Sequence, residues 1–192
     1  FGLKDNSVVD RMREAIGIRT VFVATMPPSV PGIRSQMSLT AEFERAGGRF
    51  LKGDAVVDAE FDENGHVKSV GTQNFGNIRL YADNFVLASG SFFSKGLVAT
   101  PDRIVEPVFG VDLSYPEGRD QWFDRNFWNR QNYISYGAKV SKFLHASIEG
   151  KPIANLYAIG SLLAGSNTLY EGCGGGIALI TALAAADSIL EK

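Results

Sequence analysis

The sequence predicts an α/β layered fold, on three observations. Residues 1–54 alternate helical and strand-like patterning. Residues 55–84 turn β-rich around an Asn-Gly hairpin. Residues 153–192 run from a strand through glycine-rich loops into a helix. Helices alternating with strands are the signature of a sheet covered by helices. The 192 residues make one large domain, or a core with a sizeable insertion, at roughly 150 residues per domain. With 45% hydrophobic and 21% charged residues the composition is that of a soluble globular protein. A chain this long buries about 70% of its unfolded surface, so it needs no disulfide or metal staple. The net charge of −2, from 19 basic and 21 acidic residues, argues against a nucleic-acid partner, which would call for a clustered basic excess. Glycine, at 21 residues, is over-represented against the usual ~7%. Many backbone positions must therefore turn sharply or lie close to something.

The elements follow in order. Residues 6–16 place Val8, Val9, Met12, Ala15 and Ile16 at helical spacing. Residues 19–24 form a short β-branched and apolar run that reads as a buried strand. Residues 25–32 read as a loop, because Pro27, Pro28 and Pro31 do not suit a helix interior. A helix over 33–46 ends at Gly47-Gly48, and residues 49–52 start another strand. Residues 55–61 and 67–73 flank Asp62-Glu-Asn-Gly65, a hairpin with Asn-Gly in the sharp positions. A short strand at 78–81 and an apolar strand at 85–88 follow, the latter running into Ser89-Gly-Ser91. The expected organisation is an α/β core segment (1–54), an antiparallel β layer (55–84) and a core strand with its loop (85–100). An aromatic-rich cap or interface (101–152) and a closing strand, loop and helix (153–192) complete it.

The window 109–136 holds eight of the 21 aromatic residues, including Trp122 and Trp128, with poor periodicity. It reads as an irregular cap packed over something, or as a partner-facing surface. The apolar stretches 153–165 and 174–186 fall short of the ~18–20 residues of a membrane helix. The lone Cys173 excludes an internal disulfide and suits a reducing compartment. The opening Phe-Gly-Leu-Lys, without Met or signal peptide, is expected of a piece of a longer protein.

The carboxyl-terminal stretch carries the chemistry. A strand at 155–159 leads into glycine-rich loops at 160–165 and 171–176, then an alanine-rich helix at 177–190. Free N–H groups at a helix start carry about half a positive charge and receive anions or polar ring edges. Glycines at 172, 174, 175 and 176 let a ligand approach the backbone. Such a terminus suits a phosphate, or the negative charge that builds on a reduced flavin ring. The alternative is a tight turn that only serves helix packing.

These residues carry a resemblance. Phe85-Val-Leu-Ala-Ser-Gly-Ser-Phe-Phe-Ser-Lys-Gly-Leu97 looks like the late strand and loop of flavoproteins with two dinucleotide-binding domains. Leu156-Tyr-Ala-Ile-Gly-Ser161, followed by Glu-Gly-Cys-Gly-Gly-Gly176 and an alanine-rich helix, looks like their flavin-closing segment. Together with Met-Pro-Pro-Ser-Val-Pro-Gly-Ile-Arg at 26–34, the set resembles the B subunit of anaerobic glycerol-3-phosphate dehydrogenase. The likeness runs from Phe1 to about Ile189 and corresponds to roughly the C-terminal half of a family member.

The resemblance implies a Rossmann-like FAD/NAD(P)-binding flavoprotein core, here a fragment with an inserted antiparallel β layer. It implies oxidation of sn-glycerol 3-phosphate to dihydroxyacetone phosphate, with electrons passed to quinone in anaerobic respiration. It implies FMN, or alternatively FAD, which this piece need not retain alone. It further implies a flavoprotein catalytic subunit and a membrane-anchoring iron–sulfur subunit as partners. The expected location is cytoplasmic, peripheral to the inner face of the membrane. The G-x-G-x-x-G phosphate fingerprint is missing from these residues, so little activity is expected of them alone. Two other readings stay open: a non-catalytic electron-relay or assembly subunit, and a related flavin oxidoreductase acting on another substrate.

By this likeness Gly90, Ser91, Gly160, Ser161 and Gly172 bind the cofactor, and Gly174, Gly175 and Gly176 lie near the flavin pyrimidine edge. Ser161 either hydrogen-bonds a ribityl hydroxyl or phosphate, or caps a turn. Arg34 offers the fork that a phosphate dianion needs, and is otherwise a surface or helix-start arginine. Lys95 and Arg103 are weaker cationic candidates. Flavin-linked alcohol oxidation needs a base, and His145 is the candidate, since His66 sits beside the solvated hairpin. Cys173 at a helix start is expected to have a depressed pKa, or else to be a small filler.

Overall fold

The amphipathic stretch near the amino terminus becomes helix α1 (Ser7–Ile16), whose start is held by the Asp5 carboxylate. Asp5 Oδ1 accepts hydrogen bonds from the Ser7 N–H at 2.9 Å and its hydroxyl at 2.5 Å. These bonds hold the Asp5 carboxyl below the usual carboxylate range. The computed structural model describes residues 2–23 and 29–191, which divide into two units, Phe1–Gly53 and Asp54–Lys192. Helix α2 (Val30–Arg45) begins three residues before the expected start. Ser29 caps it by accepting from the Gly32 N–H at 3.1 Å, and Pro31 occupies the first turn, where a missing N–H costs nothing. The predicted loop therefore ends before Val30, and its residues 25–28 lie outside the described residues. Gly47 (φ 90°) and Gly48 close the helix as expected, the Gly48 N–H reaching the Phe43 carbonyl at 2.9 Å.

The strands expected at 19–24 and 49–52 do not form over their described residues. Val21 and Val23 are 69% and 80% exposed. A strand exists by pairing, and no described strand pairs with either run.

In the second unit, strands β1 (Val56–Phe61), β2 (Val67–Thr72) and β3 (Arg79–Tyr81) make an antiparallel sheet in that order. The hairpin turn forms where Asn64-Gly65 predicts it. Asp62 Oδ1 accepts from the Asn64 and His66 N–H groups, and Gly65 sits at φ 79°. Arg79 ties the three strands together: it pairs with Asp58 on β1 and donates to Ser69 Oγ on β2 at 3.1 Å.

Strand β4 (Phe85–Leu87) follows. Two small ribbons come next: β5 (Val98–Ala99) with β6 (Ile104–Val105), and β7 (Leu113–Ser114) with β8 (Gly137–Ala138). Strand β9 (His145–Ile148) leads into β10 (Lys151–Ala158). A second sheet has the order β4-β10-β9, with β4 parallel and β9 antiparallel to the central β10. Leu156, Tyr157 and Ala158 of β10 and Ala146 of β9 are fully buried. Asn155 clasps the two sheets. Its side-chain oxygen accepts from the Val67 N–H at 2.9 Å, and its amide donates to the Val67 carbonyl at 2.8 Å.

The aromatic window splits in two. Trp122 belongs to the core, 7% exposed, with its indole N–H donated to the Pro116 carbonyl at 2.7 Å. Trp128 is 88% exposed, edge-on to Phe127. Helices α3 (Thr168–Glu171) and α4 (Gly174–Leu190) end the chain. Among the described residues no helix is long and apolar enough to cross a membrane.

Candidate functional site

Parallel pairing of β4 with β10 brings the turns that follow them side by side. Leu87 lies opposite Ala158, and the Ile159 N–H continues the ladder to the Leu87 carbonyl at 3.1 Å. Beyond this point the chain turns at Gly90 (φ 78°) and at Gly160 (φ 69°), both in the left-handed region that favours glycine. A Cβ on Gly90 would stand 2.6 Å from Ser94 Oγ and 3.5 Å from Ser161 Oγ. Gly90 and Ser161 are thus neighbours across the two turns. Ser91 folds the first turn back on itself, its carbonyl accepting from the Ser94 and Gly96 N–H groups. Next to Gly90, the Ser89 hydroxyl oxygen is buried with no hydrogen-bond partner among the described residues.

Helix α4 is fastened to the second turn. The Gly160 N–H donates to Thr181 Oγ1 at 2.9 Å, and that hydroxyl donates to the Ile177 carbonyl at 2.6 Å. Sequence reading passes over Thr181. The only signal for it is a lone hydroxyl one turn below the glycines in an otherwise apolar run. Gly174, Gly175 and Gly176 are not loop, as predicted, but the first turn of α4. Nothing opposes helical φ and ψ there, and first-turn N–H groups lack intrahelical acceptors in any case. A Cβ on Gly175 or Gly176 would meet nothing within 4 Å, and one on Gly174 only Thr168 at 3.6 Å. This turn is not plugged by bulky side chains. Gly172 (φ 64°) caps α3 just before it.

Other candidates stand elsewhere. His145 lies opposite Tyr157 in the β9–β10 pair, its half-buried ring 4.5 Å from the tyrosine ring. The cross-strand row Val86–Tyr157–His145 sits just before the Gly160 turn. Arg34 belongs to the first unit, where its Nη1 donates to Asn6 Oδ1 at 2.9 Å and to the Gly2 carbonyl at 3.3 Å. Lys95 ends the short 3-10 turn after Ser91 at φ 64°. Arg103 lines a cleft of about 530 Å³, with Glu106, Gly110, Asp112 and Tyr115, that shares no residue with the glycine turns. His66 is half-exposed, 3.7 Å from Asp62. Cys173 reverses expectation: its thiol is pushed up, not down. Burial is the first cause, followed by the hydrogen bond to Glu171 Oε2 at 3.5 Å and the charge of that carboxylate.

Residues 2–177 match the FAD binding domain family. The chain belongs to that family. Among curated relatives, it is 41% identical over 180 residues to the B subunit of anaerobic glycerol-3-phosphate dehydrogenase from Vibrio vulnificus (strain CMCP6). That match covers 93% of this chain and 41% of the relative. It is 39% identical over 192 residues to the protein of that name from Pectobacterium atrosepticum, covering 100% of this chain and 45% of the relative. The Haemophilus influenzae (strain 86-028NP) protein of that name is 40% identical over 197 residues, with the same coverage. The chain spans less than half the length of these relatives.

The residues present suit the cofactor of the FAD binding domain family. The bare first turn of α4 leaves amides open to a polar ring edge, and Ser89 holds an unsatisfied buried hydroxyl beside Gly90.

Proposed function

We propose that this chain builds one wall of the flavin site in the B subunit of an anaerobic glycerol-3-phosphate dehydrogenase. There sn-glycerol 3-phosphate is oxidised to dihydroxyacetone phosphate and electrons pass towards quinone. The reading rests chiefly on the Thr181 clasp, which fixes the Gly160 turn against the open helix start, in a chain of the FAD binding domain family. A bound flavin would supply a hydride acceptor for the alcohol carbon. The α4 amides would then favour negative charge at its polar edge. Ser161 and the Ser89 hydroxyl would hydrogen-bond polar parts of the cofactor. His145 is the chain's proposed base for the alcohol proton, and Arg34 its proposed phosphate anchor.

The family match favours FAD, the alternative to the FMN that the resemblance implies first; the mass of the extracted cofactor separates them. A flavoprotein catalytic subunit and a membrane-anchoring iron–sulfur subunit would be the partners. The complex would be peripheral to the inner face of the membrane.

The test is a chimera in which this chain replaces the matched stretch of the Vibrio vulnificus relative. It should retain flavin, and anaerobic glycerol 3-phosphate should bleach the flavin band. Thr181→Val should lower flavin retention and Thr181→Ser restore it. Bleaching only in the presence of the catalytic partner would mark a relay subunit. Bleaching by a different substrate would mark another oxidoreductase. A folded chimera without flavin would end the reading.

A further inference from the structure

The loop over residues 123–131 spends its polar groups on itself and shows its rings to the outside. Gln131 fills its middle. The side-chain oxygen accepts from the Asp124 N–H at 3.0 Å, and the amide donates to the carbonyls of Asn126 at 3.1 Å, Asn129 at 3.2 Å and Asp124 at 3.4 Å. Asp124 Oδ1 accepts from the Asn126 N–H and the Asn129 amide, and Asn126 Oδ1 from the Trp128 N–H. These bonds are internal, so the loop needs no further strand or helix to complete it. Its root is fixed by the buried Trp122 and by Asn167, which donates to the Gln131 carbonyl at 3.4 Å and caps α3 through the Tyr170 N–H. Outward stand Phe127 and Trp128, 78% and 88% exposed, with their rings held edge-on 5.4 Å apart. On α3, Tyr170 is 73% exposed, and the Arg130 guanidinium lies 4.8 Å from its ring, joining loop and helix into one patch.

We propose that this loop and α3 form a docking surface for a partner protein that offers an apolar socket rimmed by carboxylates. Interface centres are rich in Trp, Tyr, Phe and Arg, the residues displayed here. A loop already held in one shape loses little freedom on binding. The charge follows from the tip. Asp124 is spent within the loop, which leaves Arg125 and Arg130 as its outward charges, and Arg130 shares only a 3.6 Å contact with Glu171. A second copy of this chain fits less well, because a two-fold contact would bring like-charged tips together. An anionic membrane fits less well too, since adhesion takes a cluster of about four to eight basic residues and the chain has a net charge of −2. Gly172 joins α3 to the first turn of α4, so the docked protein would stand beside the proposed flavin edge. The inference rests on the reading of this chain as one subunit of a dehydrogenase complex, and not on flavin being bound.

The test uses the chimera described above, alone and co-expressed with its two proposed partner subunits. Hydroxyl-radical oxidation of Trp128, read by mass spectrometry, should fall about tenfold on assembly as water is excluded. Trp122, already buried, should stay protected in both states. Phe127→Ser with Trp128→Ser should leave the chimera's melting temperature unchanged, because both side chains are exposed, and weaken partner binding by about thirtyfold or more. Arg125→Glu should slow association, most at low salt. Trp128 already protected in the chimera alone would give the patch to the same subunit and overturn the proposal. Partner binding indifferent to the double substitution would overturn it and leave the subunit reading standing. So would a double variant that loses only its binding to phosphatidylglycerol vesicles, or one that only disperses a dimer of the chimera. A chimera that binds neither partner would end the subunit reading, and this proposal with it.

Discussion

The two units of the chain hold together by different means. In the first, neither α1 nor α2 buries a residue. Their helices rest on local devices, the Asp5 and Ser29 caps with Gly17 and Gly47, and on one longer link, Arg34 to Asn6. In the second, the fully buried side chains include Leu156 and Tyr157 of β10, a strand that pairs with both β4 and β9. Caps and propensities contribute a few tenths to about 2 kcal/mol each, whereas burial of one large aliphatic side chain contributes about 1.5–3 kcal/mol. The amphipathic pattern of α1 records a helix period, and it does not ensure that the apolar face is covered.

The largest effect expected is on that contrast. Leu156→Ala, at a site with no exposure, should destabilise the second unit by about 2–5 kcal/mol. Leu39→Ala, at a site 65% exposed on α2, should change stability by no more than about 0.5 kcal/mol. Urea unfolding of both variants measures the difference. Similar losses in the two would mean that the first unit shares a core with something, and the contrast would fail.

Next in size is the clasp between the sheets. Asn155→Ala removes both hydrogen bonds to Val67, which is 2% exposed, and strands a buried N–H and a buried carbonyl. The expected loss is about 2–4 kcal/mol in urea unfolding. Asn155→Asp keeps an acceptor for the Val67 N–H but loses the donor, so it should fall between the alanine variant and the parent. A neutral Asn155→Ala would show that β2 is held to β10 by apolar packing alone.

Much of this was legible where the cause is local. The Asn64-Gly65 hairpin, the Gly47-Gly48 stop and the apolar runs of β4 and β10 follow from turn chemistry and pattern over a few residues. The start of α2 was misread because prolines at 27, 28 and 31 look alike in sequence, yet Pro31 falls in the one turn that tolerates it. Trp122 and Trp128 are chemically identical, and only the nearby Pro116 carbonyl and the surrounding core decide which is inside. The strands predicted at 19–24 and 49–52 failed because β pairing is non-local: an apolar run proposes a strand and a neighbour makes it. At the site, the glycines at 90 and 160 announced themselves. The Thr181 clasp did not, since its partner lies 21 residues away.

The smallest effect sharpens the same lesson at Cys173. A helix start lowers a thiol pKa, and sequence position alone gives that sign. Partial burial and the Glu171 carboxylate act the other way, and the net direction is upward from an ordinary 9.0. Glu171→Gln removes the charge and keeps the shape. It also releases Arg130, now 3.6 Å from Glu171 Oε1, from its anionic partner. Both changes favour thiolate, so the midpoint of the pH profile for iodoacetamide alkylation should move down. High salt should shrink the difference between variant and parent. An unmoved midpoint would assign the upward shift to burial alone, and leave the carboxylate as a bystander in the turn before α4.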